Sequence, residues 1–337
     1  MKLNYTKLEL PFEYPFTISK GTKTVQPSLI VALTVGNFTG LGEAPAISYY
    51  GETVEGMVEV LERNRAGIER FALTEPGRFW HFLHHLIPGK HFVTAALDMA
   101  AYDVLAQMRR MPLRRFLNIP DGPCPATDYT IGMDTIEVMQ AKMAAHPMAA
   151  YKIKIGSAND ITVLEHLRQN TTAEFRVDAN EALNFNDTLR LLPELQQLGV
   201  TVLEQPLPVA EVEAMAELKS KAGIVLIADE SCKTEHDVAG CVAGFHGINI
   251  KLTKCGGITP ALRMIGDAKA KGLKVMLGSM NECAVGTAAQ AHLLPLADFA
   301  DLDGPLLLAK DAATGLSYPD AVPTVAFPIG LGIRFTG

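Results

Sequence analysis

Several features that would assign this chain to a class at once are missing from its sequence. No apolar run approaches the about 20 residues of a membrane-spanning helix. The formal net charge is −7, so the chain lacks the surplus of Lys and Arg that is typical of nucleic-acid-binding surfaces. Its first residues also lack the long apolar segment of a secretory signal. We therefore expect no nucleic-acid partner, no membrane association and a cytoplasmic location.

Cysteine pairs and short catalytic motifs are equally scarce. The five cysteines include no Cys-x-x-Cys pair, which argues against a disulfide framework and against a zinc site. No Gly-x-Gly-x-x-Gly follows a first strand, and neither Gly-x-Ser-x-Gly nor His-Glu-x-x-His occurs. These absences disfavour dinucleotide-binding proteins, α/β-hydrolases and zinc proteases.

What the sequence does contain begins with an N-terminal α+β pattern. Apolar runs at residues 3–10, 29–35 and 39–43 predict strands, and Gly36-Asn37 predicts a hairpin turn between the last two. Helical patterns follow at residues 53–68, 75–86 and 94–110. Strands followed by helices indicate an α+β domain, which we place at residues 1–112 because several prolines follow.

The remainder, residues 113–337, alternates short apolar runs with helical segments. Alternation of this kind predicts parallel strands joined by helices. The eight runs cover residues 126–131, 150–155, 175–178, 200–204, 225–229, 247–251, 274–278 and 297–301. Eight units favour a TIM-type barrel over an open doubly wound sheet. Residues 305–337 are rich in Pro and Gly, so we expect the last helix to be replaced by a segment that returns to the N-terminal domain.

Five consecutive runs, the second to the sixth, carry a charged residue at or next to their C-terminal end, one in each βα unit. In a barrel, the C-terminal ends of the strands meet at one rim, where active sites are built. A single charge at a strand end is usually an ordinary solvated residue, but five in consecutive units favour an active site. In chain order they are Lys154, Asp178, Glu204, Asp229 and Lys251.

The three carboxylates of this series predict a metal site beside a catalytic base. Without a cation they would repel one another, and Mg²⁺ prefers oxygen ligands of this kind. Lys152 and Lys154 are two residues apart and therefore lie on one face of their strand. A second ammonium and a metal ion nearby both lower the pKa of a lysine, so we expect Lys154 to act as a base near neutral pH.

These residues carry a resemblance to a known family. The sequence resembles the muconate-lactonizing subgroup of the enolase superfamily over nearly its whole length. The motifs involved are Lys152-Ile153-Lys154, Asp178-Ala179-Asn180, Glu204-Gln205-Pro206, Asp229-Glu230-Ser231 and Lys251-Leu252-Thr253-Lys254-Cys255-Gly256-Gly257. The resemblance implies a modified (β/α)₇β TIM barrel with an N-terminal α+β capping domain, in which the last helix is absent.

The resemblance also implies a reaction, the removal of a proton next to a carboxylate to give an enediolate held by Mg²⁺. It assigns one Mg²⁺ per subunit to Asp178, Glu204 and Asp229. Lys154 and Lys251 become acid/base groups on opposite faces of the α-carbon, with Lys152 beside Lys154. That arrangement suits a 1,1-proton transfer, which gives an epimer. Lys254 competes with Lys251 for the second role.

The eighth run suggests the substrate. Asp301 and Asp303 share one face and would bind an ammonium group, as a similar Asp-x-Asp does in dipeptide epimerases of this superfamily, although Asp303-Gly304-Pro305 is also a turn signal. Ser279 and Met280, after the seventh run, also resemble that group. We therefore predict an isomerase that epimerises a dipeptide at its C-terminal residue.

The side-chain preference is expected to come from the capping domain. Its loop residues Lys20, Gly21 and Thr22 are predicted substrate contacts. No Arg precedes Arg63, so the guanidinium fork expected for a distal carboxylate is missing, although Lys20 or Lys23 could replace it for Ala-Glu. We therefore favour small or hydrophobic dipeptides such as Ala-Ala.

Other interpretations stay open at this point. Within the superfamily they are N-acyl amino acid racemisation, o-succinylbenzoate synthesis and cycloisomerisation, whose substrates have no free ammonium group. Outside it, Lys154 could form a Schiff base in a lyase. His81, His84 and His85 have the spacing of a helical metal site but are better explained as one face of an amphipathic helix. The sequence allows a homo-oligomer without specifying one.

Overall fold

The N-terminal part of the molecule is a three-stranded antiparallel sheet followed by helices. A computed structural model describes all residues from Met1 to Gly337. The strands are β1 (Lys2–Ile18), β2 (Gly21–Val35) and β3 (Phe38–Pro45), and Val35 pairs with Phe38 across the predicted Gly36 turn. β1 and β2 extend well beyond the predicted runs. Their added residues are mostly exposed or half-buried, so this part of the hairpin has no apolar signal.

Four helices follow this sheet: α1 (Val54–Arg70), α2 (Pro76–Leu86), α3 (His91–Met108) and the short α4 (Leu113–Phe116). From Phe92 to Ala106, α3 is completely buried. Gly40 and Gly42 of β3 let the sheet approach α3 closely, since a Cβ at either position would overlap the carbonyl oxygens of Ala100 and Ala96. The helix therefore forms the centre of the N-terminal part.

Eight parallel strands form the barrel, in sequential order. They are β4 (Tyr129–Ile131), β5 (Ala150–Lys154), β6 (Glu174–Asp178), β7 (Val200–Glu204), β8 (Val225–Ala228), β9 (Gly247–Ile250), β10 (Lys274–Gly278) and β11 (Phe299–Asp301). The ring is closed by a parallel bridge between Thr127 and Ala300 and by the Leu302 N–H, which donates to Thr127 Oγ1 at 2.8 Å. The predicted TIM-type barrel is confirmed.

The helices between these strands form the outer layer of the barrel. They are α5 (Ile136–Ala145), α6 (Ile161–Arg168), α7 (Phe185–Gln197), α8 (Val212–Lys221), α9 (Val238–Gly244), α10 (Leu252–Cys255), α11 (Ile258–Ala270) and α12 (Ala284–Ala291). No helix of the structure is long and apolar enough to cross a membrane.

After β11 the chain forms no α-helix. It makes two small antiparallel pairs, β12 (Ala313–Thr314) with β15 (Arg334–Phe335) and β13 (Leu316–Ser317) with β14 (Thr324–Val325). This segment contacts the N-terminal part of the molecule. The Gly330 N–H donates to the Met111 carbonyl at 3.0 Å, and Phe12 forms a β-bridge with Leu308.

Three buried carboxylates, which we call the seam carboxylates, join the N-terminal part to the rest: Glu43, Asp98 and Asp103. Glu43 of β3 accepts hydrogen bonds from the N–H groups of Cys283 at 3.0 Å and Gly286 at 2.9 Å, at the start of α12. These N–H groups would otherwise lack partners at the helix N-terminus. Glu43 therefore caps a barrel helix from the other side of the interface.

The other two seam carboxylates extend from α3. Asp98 accepts from both the N–H and the hydroxyl of Thr259, each at 2.9 Å. Asp103 accepts from the N–H groups of Leu41 and Leu331, also at 2.9 Å. Burial raises the pKa of Asp98 to about 7 and that of Asp103 to about 6, although these hydrogen bonds oppose the change. No ammonium or guanidinium group forms an ion pair with any of the three.

Candidate active site

The charged strand ends lie at one level of the barrel rim because the strands pair in register. Lys154 is the direct partner of Asp178, and Asp178 is the direct partner of Glu204. Asp229 lies just beyond β8 and Lys251 just beyond β9. The sheet therefore brings all five predicted residues to the same end of the barrel.

A small cavity of about 40 Å³ lies at this end. Its wall contains both predicted acid/base lysines and both predicted ammonium-binding carboxylates, together with residues from β1 and from the loop after β3. The lining residues are Phe16, Ile18, Tyr49, Thr130, Lys154, Asn180, Lys251, Ser279, Met280, Asn281, Asp301, Asp303 and Leu307. A much larger cavity of about 670 Å³, beside α4 and the C-terminal segment, contains none of the strand-end charges.

Lys152 is the centre of the charge network. Its side chain is 2% exposed, and its Nζ lies 2.6 Å from Asp301 Oδ2, 2.9 Å from Glu204 Oε2 and 3.3 Å from Asp178 Oδ2. Burial by itself would lower the pKa of Lys152, but the three carboxylates outweigh it and hold that pKa well above its ordinary value. One ammonium therefore holds two of the predicted metal ligands together.

The two lysines that line the cavity each pair with a different predicted ligand. Lys154 Nζ donates to Asp178 Oδ2 at 2.5 Å, and Lys251 Nζ donates to Asp229 Oδ2 at 2.8 Å. Burial by itself would raise the pKa of Asp229, but the charges of Lys251 and Lys254 hold it well below its ordinary value. Both lysines thus lie beside the predicted metal site and face the same cavity.

Lys254, the competing candidate for the second base, has a different environment. Its ammonium pairs with Asp229 Oδ1 and also donates to the carbonyl oxygens of Asp229 at 2.7 Å, Cys232 at 3.0 Å and Asn249 at 3.1 Å. It is buried and does not line the cavity. Through these contacts Lys254 holds the loop that carries Asp229 in position.

Asp178, Glu204 and Asp229 fit a hard divalent cation. All three are buried, all offer carboxylate oxygens, and they come from adjacent strand ends. Glu204 Oε2 is close to Lys152 but receives no well-directed hydrogen bond, so this buried oxygen lacks a complete partner. Burial raises the pKa of Glu204 to about 7, with Lys152 opposing the change and Asp178 adding to it.

Asp301, the last residue of β11, and Asp303, two residues later, both line the cavity. Asp301 pairs with Lys152, while Asp303 Oδ2 accepts from the Thr130 N–H at 2.5 Å. Together with Asp128 they form a cluster of carboxylate oxygens within 4.8 Å of one another. Arg176 neutralises Asp128 at 2.9 Å, so Asp303 is the member without a cationic partner. Burial and the charge of Asp301 raise the pKa of Asp303 to about 7.

The predicted capping-loop contacts do not reach the cavity wall. Lys20, Gly21 and Thr22 lie at the turn between β1 and β2, and none of them lines the cavity. Lys20 instead pairs with Glu181 at 3.0 Å and Glu230 at 3.3 Å. The predicted residues Ser279 and Met280 do line the cavity.

Several residues of the cavity wall were not predicted from the sequence. Tyr49 and Leu307 are an aromatic and an apolar residue between the main strands and helices, and such residues carry no motif that indicates a site. Thr130 donates its backbone N–H to Asp303, and every residue except proline could supply that donor. Asn180 belongs to the Asp178-Ala179-Asn180 motif, but no role in the site was predicted for it. It has a positive φ of 41°, a conformation in which Asn is enriched.

The histidine-containing helix α2 is amphipathic, as the sequence predicted. Phe79 and Trp80 of α2 are buried, whereas His81, His84 and His85 are exposed. The Trp80 indole N–H donates to the Gly256 carbonyl at 2.8 Å, so the apolar face of the helix packs on the loop after α10.

Comparisons with known proteins identify the class to which this fold and site belong. The family model of enolase C-terminal domain-like proteins matches residues 134–323. The chain belongs to the enolase superfamily, as its motifs indicated.

Individual proteins that are similar to the chain define the class within this superfamily more closely. The chain is 42% identical to an L-Ala-D/L-amino acid epimerase from Flavobacterium johnsoniae over 333 residues, which covers 99% of each protein. It is 43% identical to a protein of the same name from Maribacter sp., over 97% of each. A solved dipeptide epimerase from Cytophaga hutchinsonii, in complex with Mg and D-Ala-L-Val, has a TM-score of 0.93 at 25% identity and covers 99% of this chain and 95% of its own.

Proposed function

We propose that this protein is a Mg²⁺-dependent dipeptide epimerase, an isomerase that inverts the α-carbon of the C-terminal residue of a dipeptide. The observation that carries the proposal is the shared wall of one cavity, which contains Lys154 and Lys251 as well as Asp301 and Asp303. Two proton-transfer groups and an acidic pair that matches an amine thus border the same space. The names of both close relatives support the same activity.

Each lysine has one task in the reaction. In the neutral form, one of them removes the α-proton, and the protonated partner returns a proton to the opposite face. The electron pair left on the α-carbon moves into the substrate carboxylate and gives an enediolate. The roles of Lys154 and Lys251 exchange in the reverse direction, so the pair serves both epimers. Lys152 remains buried beside them as a fixed positive charge.

Asp178, Glu204 and Asp229 would hold the Mg²⁺, one ion per subunit. When bound, the ion supplies a Lewis acid that stabilises negative charge on the substrate carboxylate. Mg²⁺ in the solved structure of a relative supports this assignment. Lys254 keeps the Asp229 loop in place through its three carbonyl contacts.

Asp301 and Asp303 would bind the substrate ammonium. The cluster of Asp128, Asp301 and Asp303 has three carboxylates but only two cations beside it, Arg176 and Lys152. A dipeptide ammonium supplies the missing positive charge. An N-acylated substrate does not, which separates this proposal from the other reactions of the superfamily.

The side-chain class follows from the rest of the wall. Ile18, Tyr49 and Met280 contribute apolar surface, and no arginine lines the cavity. We therefore favour dipeptides whose second residue is small or hydrophobic, such as Ala-Ala, over Ala-Glu.

We also propose the division of the chain into a capping domain at residues 1–112 and a barrel domain at residues 113–337. Three residues of the first part, Phe16, Ile18 and Tyr49, line the cavity, which supports a capping role. A dipeptide substrate is compatible with the expected cytoplasmic location, and we also propose that the protein forms a homo-oligomer.

The test is incubation of a dipeptide panel in D₂O with Mg²⁺, followed by mass spectrometry. We expect one deuterium at the α-carbon of the second residue of Ala-Ala, and no exchange after EDTA treatment. No exchange with any dipeptide would overturn the proposal. Trapping of a substrate adduct on Lys154 by borohydride, with activity that survives EDTA, would favour the Schiff-base alternative.

An Asp303→Asn variant tests the ammonium site in the same assay. We expect dipeptide epimerisation to fall by about a hundredfold, because the substrate ammonium loses its charged partner. The variant should not gain or lose activity with N-acetyl amino acids, which lack that charge. Equal activity of the wild-type protein toward N-acetylated and free dipeptides would contradict the assignment.

A further inference from the structure

The tip of the β1–β2 hairpin is a separate unit from the rest of its sheet. The pairing of β1 with β2 is regular from Lys2 to Pro11, breaks there, and resumes at Phe16 opposite Lys23. We call residues 16–23 the flap. A break in the ladder interrupts the backbone hydrogen bonds that would otherwise transmit rigidity along the hairpin. Residues 16–23 are therefore not held to the sheet by a continuous ladder.

The flap covers the cavity in this structure. Phe16 and Ile18 form part of the cavity wall, and the Met133 N–H donates to the Thr17 carbonyl at 2.9 Å. The cavity has a volume of about 40 Å³, whereas pockets for small ligands usually have about 300 Å³ or more. A dipeptide does not fit a space of that size. We therefore expect the flap to move when substrate binds and when product leaves.

Both ion pairs between the flap and the barrel are made by Lys20. Its Nζ lies 3.0 Å from Glu181 Oε2, after β6, and 3.3 Å from Glu230 Oε1, after β8. It also lies 5.0 Å from the centre of the Tyr49 ring, another part of the cavity wall. The side chain of Lys20 thus connects the flap to two barrel loops and to Tyr49 in the segment after β3.

The partners of Lys20 are held in position from below. Glu181 uses its other oxygen to accept from the Val209 N–H at 3.1 Å. Glu230 is only 7% exposed, accepts from Asn180 Nδ2 at 3.3 Å, and its second oxygen has no hydrogen-bond partner. These carboxylates are therefore fixed to the rim and present an acceptor to the flap. The flap lysine is the movable half of the contact.

We propose that Lys20 is the latch of the flap, a positioning residue that holds the active site closed, and that it is not a ligand for the substrate side chain. The inference rests on the proposed function, because the closed state matters only if the cavity binds a small substrate. With its ammonium committed to Glu181 and Glu230, Lys20 leaves no charge for a distal substrate carboxylate. The latch therefore also accounts for the preference for uncharged side chains.

The test compares Lys20→Met with wild type on Ala-Ala and Ala-Glu. Loss of the latch should raise KM for both dipeptides and lower kcat/KM by about fivefold for each, the size expected for a partly exposed ion pair. A Lys20→Arg variant should restore most of the activity. Lys7→Met removes another ion pair of β1, with Glu55 at 3.4 Å, far from the flap, and should leave both values unchanged.

A double-variant cycle tests the partner. Glu181→Gln should have a smaller effect than Lys20→Met, because Glu230 still pairs with the lysine. The Lys20→Met, Glu181→Gln double variant should be no slower than Lys20→Met alone, since both changes remove the same contact. Strictly multiplicative losses would overturn the latch. So would a loss confined to Ala-Glu, which would make Lys20 a ligand of the substrate carboxylate.

Amide hydrogen exchange of residues 16–23 tests the latch independently of turnover. In the Mg²⁺-loaded protein without substrate, Lys20→Met should accelerate exchange in this segment and leave α3 unchanged. Unchanged flap exchange would contradict the latch even if activity falls. Faster exchange in a protein that epimerises no dipeptide would support the latch while refuting the proposed function.

Discussion

Two groups of buried carboxylates occupy this molecule, and their partners differ. The carboxylates of the barrel mouth, Asp178, Glu204 and Asp229, face ammonium groups of lysines. The seam carboxylates, Glu43, Asp98 and Asp103, face mainly backbone N–H groups. Both groups are almost completely shielded from water. Burial by itself therefore does not distinguish a functional acid from a structural one.

The difference lies in what each partner can do. A backbone N–H has a fixed position and no charge to exchange, so a seam carboxylate only joins one element to another. A lysine ammonium can move, lose its proton, or give up its carboxylate to a metal ion. The carboxylates of the mouth can therefore exchange their partners during the reaction, whereas the seam carboxylates keep theirs. Substitutions in the two regions should separate activity from stability.

The largest effect is expected for Lys251→Met at the mouth. Removal of one acid/base group should lower the rate of epimerisation by about a thousandfold, within the range for general acid–base catalysis. The remaining Lys154 should still exchange the α-proton of one epimer in D₂O. Lys269→Met, an exposed lysine on α11, serves as the matched control. Exchange of both epimers in Lys251→Met would contradict the two-lysine assignment.

A seam variant should show the opposite pattern. Asp98→Ala leaves the Thr259 N–H without a partner and should reduce the free energy of unfolding by about 3 kcal/mol in a urea titration. At low temperature, where the variant is folded, its kcat should stay within about a factor of two of the wild-type value, because Asp98 does not line the cavity. Asp98→Asn retains an acceptor and should recover most of the stability. A thousandfold loss of kcat in folded Asp98→Asn would remove the distinction between seam and mouth.

Metal addition should sharpen the comparison. Mg²⁺ at a hundred times its Kd should increase the free energy of unfolding by about 2.7 kcal/mol, because it binds only the folded chain. EDTA should reverse the change. The increase should disappear in Asp229→Asn and persist in Asp98→Asn. Stabilisation that survives in Asp229→Asn would place the ion elsewhere.

The smallest effect concerns pH. The pKa of Asp98 is raised to about 7 from its ordinary 3.8, so its protonated form is favoured in the folded state. The resulting stability is complete below pH 3.8 and is lost as the pH rises through 7. Between pH 6 and pH 8 the wild-type protein should lose about 1 kcal/mol more than Asp98→Asn, since one pKa unit equals about 1.4 kcal/mol. Parallel stability profiles for the two proteins would refute this.

The barrel could be predicted from sequence because its signals are local. The strands are short and mostly buried apolar runs, and a charged residue at the C-terminal end of five consecutive runs stands out against them. The predicted run at residues 200–204 coincides with β7, and that at 274–278 coincides with β10. The order of the charged residues along the chain then predicted which of these side chains lie next to one another at the rim.

The flap and the seam could not be predicted for the opposite reason. The β1–β2 extension is mostly exposed or half-buried, so no apolar periodicity marks it. The partners of Lys20 lie 161 and 210 residues away, and nothing local distinguishes a latched lysine from a free one. Lys254 shows the same limit, because its role depends on carbonyl groups, which every residue possesses.

Asp103 has a consequence for the timing of folding. One of its oxygens accepts from Leu41, 62 residues earlier, and the other from Leu331, 228 residues later. Until the ribosome has produced Leu331, one side of this buried carboxylate has no partner, although α3 and its sheet are already complete. The N-terminal part therefore cannot complete this pair of hydrogen bonds before the barrel has been synthesised. We expect the docking of α3 on the C-terminal segment to be a late step of folding.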